Sequence, residues 1–160
     1  MPVREVSQPP LQSKVRSAIL GTWEERTATD LHSNSLHSTL NMRKIESQMI
    51  AAIKSETDWK SGNTKVVNFF NDSDKCVVSS VFLYDKKIAE ITDTDMIIFD
   101  GGRQSVTTKS RLNALCNEFC ITGECVFQKD FAWYVRKFVG CINGKNIFKT
   151  EDFSNGYIFA

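Results

Sequence analysis

The sequence predicts an α+β protein in which two helices pack on an antiparallel, meander-like β-sheet, preceded by a partly helical N-terminal arm. Apolar residues recur at helical spacing in two stretches, near residues 42–56 and 107–119. Between and after these stretches, short runs rich in Val, Ile and Phe are separated by turn-forming residues. Because tight turns join only antiparallel neighbours, the short runs predict a meander.

The first helix is predicted from Met42 to Glu56. Its apolar face carries Met42, Ile45, Met49, Ile50 and Ile53, at the spacing of a packed amphipathic helix. Its opposite face carries Arg43, Lys44, Glu46 and Lys54. We expect these charged side chains to be solvated.

Strands are predicted at residues 65–70, 75–84, 88–91, 96–100, 125–127, 131–139, 146–149 and 156–160. The pair Asn143-Gly144 is the strongest hairpin signal in the chain. Alternation along 131–139 places Phe131, Trp133 and Val135 on one face and Ala132, Tyr134 and Arg136 on the other. We expect Tyr134 and Arg136 to face outward.

The chain is predicted to divide into an arm, residues 1–41, that is poorly ordered or partly helical, and a compact domain, residues 42–160. Residues 14–26 of the arm have a helical pattern with Val15, Ile19 and Trp23 at four-residue spacing. Together with Leu31, Ile19 and Trp23 are candidates for self-association. No apolar run approaches the length that spans a bilayer, which predicts a soluble protein with no membrane partner.

The charge balance excludes a uniformly basic nucleic-acid binder, because 20 Lys and Arg face 19 Asp and Glu. The charges are unevenly distributed. Residues 61–100 hold four basic and seven acidic residues, whereas residues 101–160 hold eight basic and five acidic. Any binding to nucleic acid is therefore expected from a local patch in the C-terminal part.

The stretch from Gly101 to Arg111 is the candidate for that patch. Gly101 and Gly102 predict a tight turn, Arg103 follows it, and Thr107 or Thr108 is expected to cap the second helix. Lys109 and Arg111 lie in its first turn. The free amides of a helix start attract anions, so this stretch is a candidate site for the phosphates of DNA or RNA. The alternative is a structural turn and cap with solvated cations.

Tyr134 and Arg136 are candidates for a second contact, in which an aromatic ring and a guanidinium on a sheet stack on bases. The alternative is an ordinary sheet surface.

Other chemistry has little support in the residue pattern. A zinc site would need four of the five cysteines: Cys116, Cys120, Cys125 and Cys141. Their spacing is not that of familiar zinc sites, and the alternative is that they are buried free thiols. The acidic pairs Asp72/Asp74 and Asp93/Asp95 fall in predicted turns. The sequence has no Walker spacing, dinucleotide fingerprint or catalytic triad. We therefore expect no catalytic residues, no metal and no cofactor.

Four segments carry a resemblance to a known family: MRKIESQMIAAIKSETDWKSGNTKV, VFLYDKKIAEI, FDGGRQSVTTKSRLNALCNEF and VFQKDFAWYV. They resemble a family of small tailed-bacteriophage proteins with a GG(W/R)xSxTTKSRLNALxxEF stretch, over about residues 42–160. Arg103 stands where that family usually has Trp, and Tyr84-Asp85-Lys86 stands where it usually has Leu-His-Gly. The resemblance implies a phage origin and a fold, and it implies no activity.

The residues and the resemblance together predict a non-enzymatic phage accessory protein that binds nucleic acid in the cytoplasm of the infected host cell. The alternative is a protein-binding inhibitor of a host enzyme or of an anti-phage defence complex. The acidic stretch and the many aromatics motivate that alternative, because aromatic anchors dominate protein interfaces.

Overall fold

A computed structural model describes residues 42–160. The predicted arm, including the helical pattern at 14–26 and its expected role in self-association, lies outside the described residues. No helix among the described residues is long and apolar enough to cross a lipid bilayer.

The described chain contains two α-helices and nine β-strands. The helices are α1 (Lys44–Lys54) and α2 (Val106–Phe119). The strands are β1 (Trp59–Ser61), β2 (Thr64–Asn71), β3 (Cys76–Leu83), β4 (Lys86–Ile91), β5 (Met96–Ile98), β6 (Cys125–Lys129), β7 (Ala132–Ile142), β8 (Lys145–Asp152) and β9 (Tyr157–Phe159).

The strands form two antiparallel sheets. A six-stranded sheet has the order β1-β2-β3-β4-β5-β9, and a three-stranded sheet has the order β6-β7-β8. The first five strands follow one another as a meander, and β9 returns from the second sheet to pair with β5. The predicted α+β class is confirmed. The division into two sheets is not predicted by the sequence, because local pattern does not say which strands pair across a helix.

The core lies between the helices and one face of the larger sheet. Met49 and Ile53 of α1 and Leu112, Leu115 and Phe119 of α2 are fully buried, as their helical spacing predicts. The core continues into the larger sheet at Val66, Val81, Ala89 and Ile98 and into the smaller sheet at Val126, Trp133 and Val135. Since α2 packs against both β4 and β6, it joins the two sheets.

Three local predictions are wrong. The turn predicted at residues 58–63 contains β1, because the two-residue loop with Gly62 at φ 56° closes a hairpin onto β2. Glu46, predicted to be solvated, is buried. Phe131, predicted to share the buried face of Trp133, lies in the β6–β7 turn, where Asp130 and Phe131 both have positive φ.

Candidate functional site

The start of α2 is built by the Gly101-Gly102 turn and a serine cap. Gly101 and Gly102 have φ of 68° and 81°, a region that glycine enters without steric cost. The Asp100 carboxylate accepts from the Gly102 amide at 2.7 Å. The cap is Ser105, whose hydroxyl accepts from the Thr108 amide at 3.1 Å. The predicted cap at Thr107 or Thr108 is therefore wrong by two or three residues.

The cap leaves part of the helix start available to a ligand. The amide of Thr108 is used by Ser105, and the Thr108 side chain is buried with its hydroxyl 2.8 Å from that of Ser105. Within the described residues, the amides of Val106 and Thr107 have no acceptor. Thr108 thus has a structural role, and the two preceding amides are the ones that an anion could reach.

An open cleft of about 520 Å³ lies against this helix start. Its lining is Leu83, Tyr84, Lys86, Ile88, Asp100, Gly101, Arg103, Ser105, Thr107 and Thr108. A second, more open hollow of about 320 Å³ is lined by both glycines of the turn and includes Lys87 and Asn155. The cleft is therefore bounded by the β3–β4 turn on one side and the α2 start on the other.

Four cations define what we call the basic end: Lys86, Arg103, Lys109 and Lys129. Lys86 and Arg103 line the cleft, and neither forms an ion pair in the part of the chain that the structure describes. Lys109 donates to the side-chain oxygen of Gln128 at 3.4 Å, which places it beside β6. Lys129 is the next residue along β6 and is exposed.

Of the three acidic groups near the basic end, Asp85 has a cationic partner. Lys65 donates to Asp85 at 3.1 Å, and this hydrogen bond, together with the charge of Lys65, lowers the pKa of Asp85. Asp100 is engaged by the Gly102 amide. Asp130 is exposed in the turn after Lys129. The four cations of the basic end, together with Lys65, outnumber these three carboxylates.

Arg111 does not belong to the basic end, and the prediction that it contacts phosphate is wrong. Its side chain is buried, with Nη1 2.7 Å from Glu46 Oε1 and Nε 3.4 Å from Thr64 Oγ1. Residues two apart on a helix point to different sides, so Arg111 faces the core, whereas Lys109 is half-buried and reaches Gln128. The spacing of Arg111 to Leu115, four residues on, is the sequence signal for this burial.

Tyr134 and Arg136 lie on the face of β7 opposite Trp133 and Val135, as the alternation predicts. The ring of Tyr134 stacks on Phe127, with centroids 5.7 Å apart and an angle of 26°. The Arg136 guanidinium lies 4.3 Å from the centroid of Phe148. These contacts form a second surface, separate from the cleft, and a role of the pair in binding bases stays a prediction.

Two residues of the cleft region are missed by the sequence analysis. Tyr84 is predicted as the last residue of the strand at 75–84 and Lys86 as part of the turn that follows, yet both line the cleft. A turn residue with a large aromatic side chain is the signal that could have marked Tyr84.

The cysteines do not form a metal centre within the described residues, where no cluster of three or more His, Cys, Asp or Glu is placed to hold an ion. Cys116 and Cys120 are buried, and Cys141 is exposed. Burial, followed by the nearby Cys116, raises the pKa of the Cys125 thiol. The acidic pairs Asp72/Asp74 and Asp93/Asp95 lie in turns, where Asp74 accepts from Asn71.

The fold and the site define a small α+β protein with an open, basic cleft at one helix start, and comparison with known families places it among bacteriophage proteins. The Kyanoviridae Gp96 protein family matches residues 42–160, and the chain belongs to this family. The phage origin implied by the resemblance is thereby confirmed. No curated protein matches the chain, and no solved structure matches it.

Proposed function

We propose that this protein is a non-enzymatic phage accessory protein that binds nucleic acid through the basic end, in the cytoplasm of the infected host cell. The observation that carries the proposal is the open cleft in which Lys86 and Arg103 face solvent without ion-pair partners among the described residues. Cations that are not neutralised by neighbours are available to phosphates, and release of counterions makes such contacts favourable.

In this proposal the predicted residues have different roles. The planar guanidinium of Arg103 can donate two hydrogen bonds to the oxygens of one phosphate. Lys86, Lys109 and Lys129 each contribute a single ammonium charge. The amides of Val106 and Thr107 offer two neutral donors at the helix start. Gly101 and Gly102 shape the turn.

A paired charge-removal experiment tests this proposal. In Lys86→Gln/Arg103→Gln both changes fall in the cleft, whereas in Lys75→Gln/Lys145→Gln they fall in the exposed β2–β3 turn and at the exposed first residue of β8. Both variants change the net charge from +1 to −1. We expect the first pair to weaken binding of labelled oligonucleotides by about tenfold or more at low salt, and to reduce the slope of log K against log salt by about 1.4 to 1.8.

The second pair should change affinity by less than about twofold, because the release of counterions is local to the contact. Fluorescence anisotropy titrations at several salt concentrations measure both quantities. Equal losses in the two variants, or no loss in either, would contradict binding at the basic end.

The inhibitor alternative is favoured by one observation, the β2–β3 hairpin. Phe69 and Phe70 are adjacent on β2, so they point to opposite faces, and they are 48% and 58% exposed. Exposed aromatics of this kind are candidates for anchors in a protein interface. A host protein that is captured after nuclease treatment, and lost with Phe69→Ser/Phe70→Ser while oligonucleotide affinity is unchanged, would support this function.

A further inference from the structure

Two hairpin turns carry aromatic residues where such turns favour asparagine and glycine. The β3–β4 turn is Tyr84–Asp85, with φ of 51° and 58°, and the β6–β7 turn is Asp130–Phe131, with φ of 49° and 64°. Two-residue turns with positive φ at both positions select Asn-Gly or Asp-Gly. The β7–β8 turn of the same chain follows this rule with Asn143-Gly144.

Both aromatic side chains are also highly exposed. Tyr84 is 71% exposed and Phe131 is 95% exposed. A bulky side chain in the left-handed region strains the backbone, and an exposed ring forgoes the burial that stabilises aromatics in a core. Folding therefore gives no reason for an aromatic residue at either position.

Both aromatic turns lie at the basic end. Tyr84 lines the same cleft as Lys86 and Arg103. Lys109 of α2 contacts Gln128 of β6, which pairs with Trp133 of β7. The β6–β7 turn begins at residue 130, two residues after Gln128, and therefore lies close to this contact. Since α2 packs against both β4 and β6, the two aromatic turns flank the start of α2 from different sides.

We infer that Tyr84 and Phe131 stack on unpaired bases, and that the nucleic acid held at the basic end is single-stranded; this rests on the proposed function. A single strand presents phosphates and the faces of its bases to the same surface, whereas a duplex hides the base faces in its stack. The four cations would bind the phosphates of any nucleic acid, whereas the two rings would stack only on bases whose faces are exposed. Stacking of this kind tolerates any base, so little sequence preference is expected.

The test compares a labelled oligothymidine of about 15 nucleotides, within the length that single-strand sites commonly cover, with a duplex of equal length. Tyr84→Asn and Phe131→Asn remove each ring and place a residue that tolerates the left-handed turn, so the hairpins should be retained. Each variant should weaken single-strand binding by about fivefold or more and leave duplex binding within about twofold. Phe70→Ser, which removes an exposed ring elsewhere, should change neither.

The outcomes separate this inference from the function on which it rests. Wild-type protein that binds duplex as tightly as oligothymidine, or ring variants that keep full single-strand affinity, would overturn the inference even if Lys86→Gln/Arg103→Gln still weakens binding. Failure of the wild-type protein to bind either probe would overturn the proposed function itself. Poly-glutamate bound as tightly as oligothymidine would overturn the inference by showing that charge alone selects the partner.

Discussion

At the residue scale, the Glu46–Arg111 pair has the greatest consequence for interpretation. The Glu46 carboxylate accepts from Arg111 Nη1 at 2.7 Å, from the Ser110 hydroxyl at 2.6 Å and from the Arg43 amide at 3.1 Å. Both charged side chains are nearly fully buried. The pair fixes α1 against α2 at their N-terminal ends, and it removes Arg111 from the surface available to a ligand.

We expect Arg111→Met to lower the free energy of unfolding by about 3–5 kcal/mol, because it leaves the Glu46 carboxylate buried without its cation. The double variant Glu46→Gln/Arg111→Met should recover much of that loss, since a neutral amide oxygen still accepts from the Ser110 hydroxyl. Urea denaturation followed by circular dichroism measures both values. A single variant as stable as the wild type would show that the pair is not buried in solution.

At the element scale, a side chain of α2 forms hydrogen bonds with the backbone of β6 at the edge of β6 that no strand covers. Asn113 donates its Nδ2 to the Val126 carbonyl at 2.8 Å, and its Oδ1 accepts from the Val126 amide at 2.8 Å. The amide group thereby takes the place of a neighbouring strand for one residue of β6. Because Lys109 contacts Gln128 and Asn113 contacts Val126, β6 runs antiparallel to α2. This direction places the β6–β7 turn at the start of the helix.

Replacing Asn113 should therefore destabilise the protein more than replacing a solvent-facing asparagine of the same helix. Asn113→Ala leaves the N–H and C=O groups of buried Val126 without partners, and we expect a loss of about 2 kcal/mol or more. Asn117→Ala, at an exposed position one turn later, should change stability by less than about 0.5 kcal/mol. Thermal and urea unfolding of the two variants give the comparison, and similar effects would contradict the proposed closure of the β6 edge.

At the scale of the whole molecule, one hydrogen bond joins the two sheets near the C-terminus. The Tyr157 hydroxyl of β9 donates to Glu151 of β8 at 2.7 Å. This hydrogen bond, and then that from Lys149, lowers the pKa of Glu151. Burial, and then the same bond to Glu151, raises the pKa of Tyr157. The contact thus couples the position of the smaller sheet to the charge of one carboxyl group.

The sign of the pH dependence follows from the lowered pKa of Glu151. A carboxyl group that ionises more easily when folded contributes stability above its unfolded pKa, near 4.5, and loses that contribution as pH falls through the folded value. We expect Tyr157→Phe to be less stable than the wild type at pH 7, and the difference to shrink as pH falls below about 4. Thermal unfolding from pH 3 to pH 7 measures it. A difference that does not vary with pH would contradict the coupling.

The sequence by itself determined the class of elements and much of the core. The spacing of Met49, Ile50 and Ile53, and of Leu112, Leu115 and Phe119, identified the buried faces of both helices, since a helical period is a local property. Asn143-Gly144 identified its hairpin for the same reason. The exposure of Arg103 also follows from sequence, because a polar stretch after a glycine turn remains on the surface. The binding role of Arg103 and Lys109 stays a prediction.

The tertiary structure alone decided which cations lie near the start of α2. Arg111 is withdrawn by Glu46, 65 residues earlier in the chain, and no local pattern reports a partner at that separation. Lys86 and Tyr84 enter the cleft because the β3–β4 turn folds against the start of α2. Phe131 is exposed because strand pairing places residues 130 and 131 in a turn that lacks the usual Asn or Gly signal. Local sequence fixes periodicity, whereas a site depends on contacts between distant segments, whose positions are set by burial of the whole core.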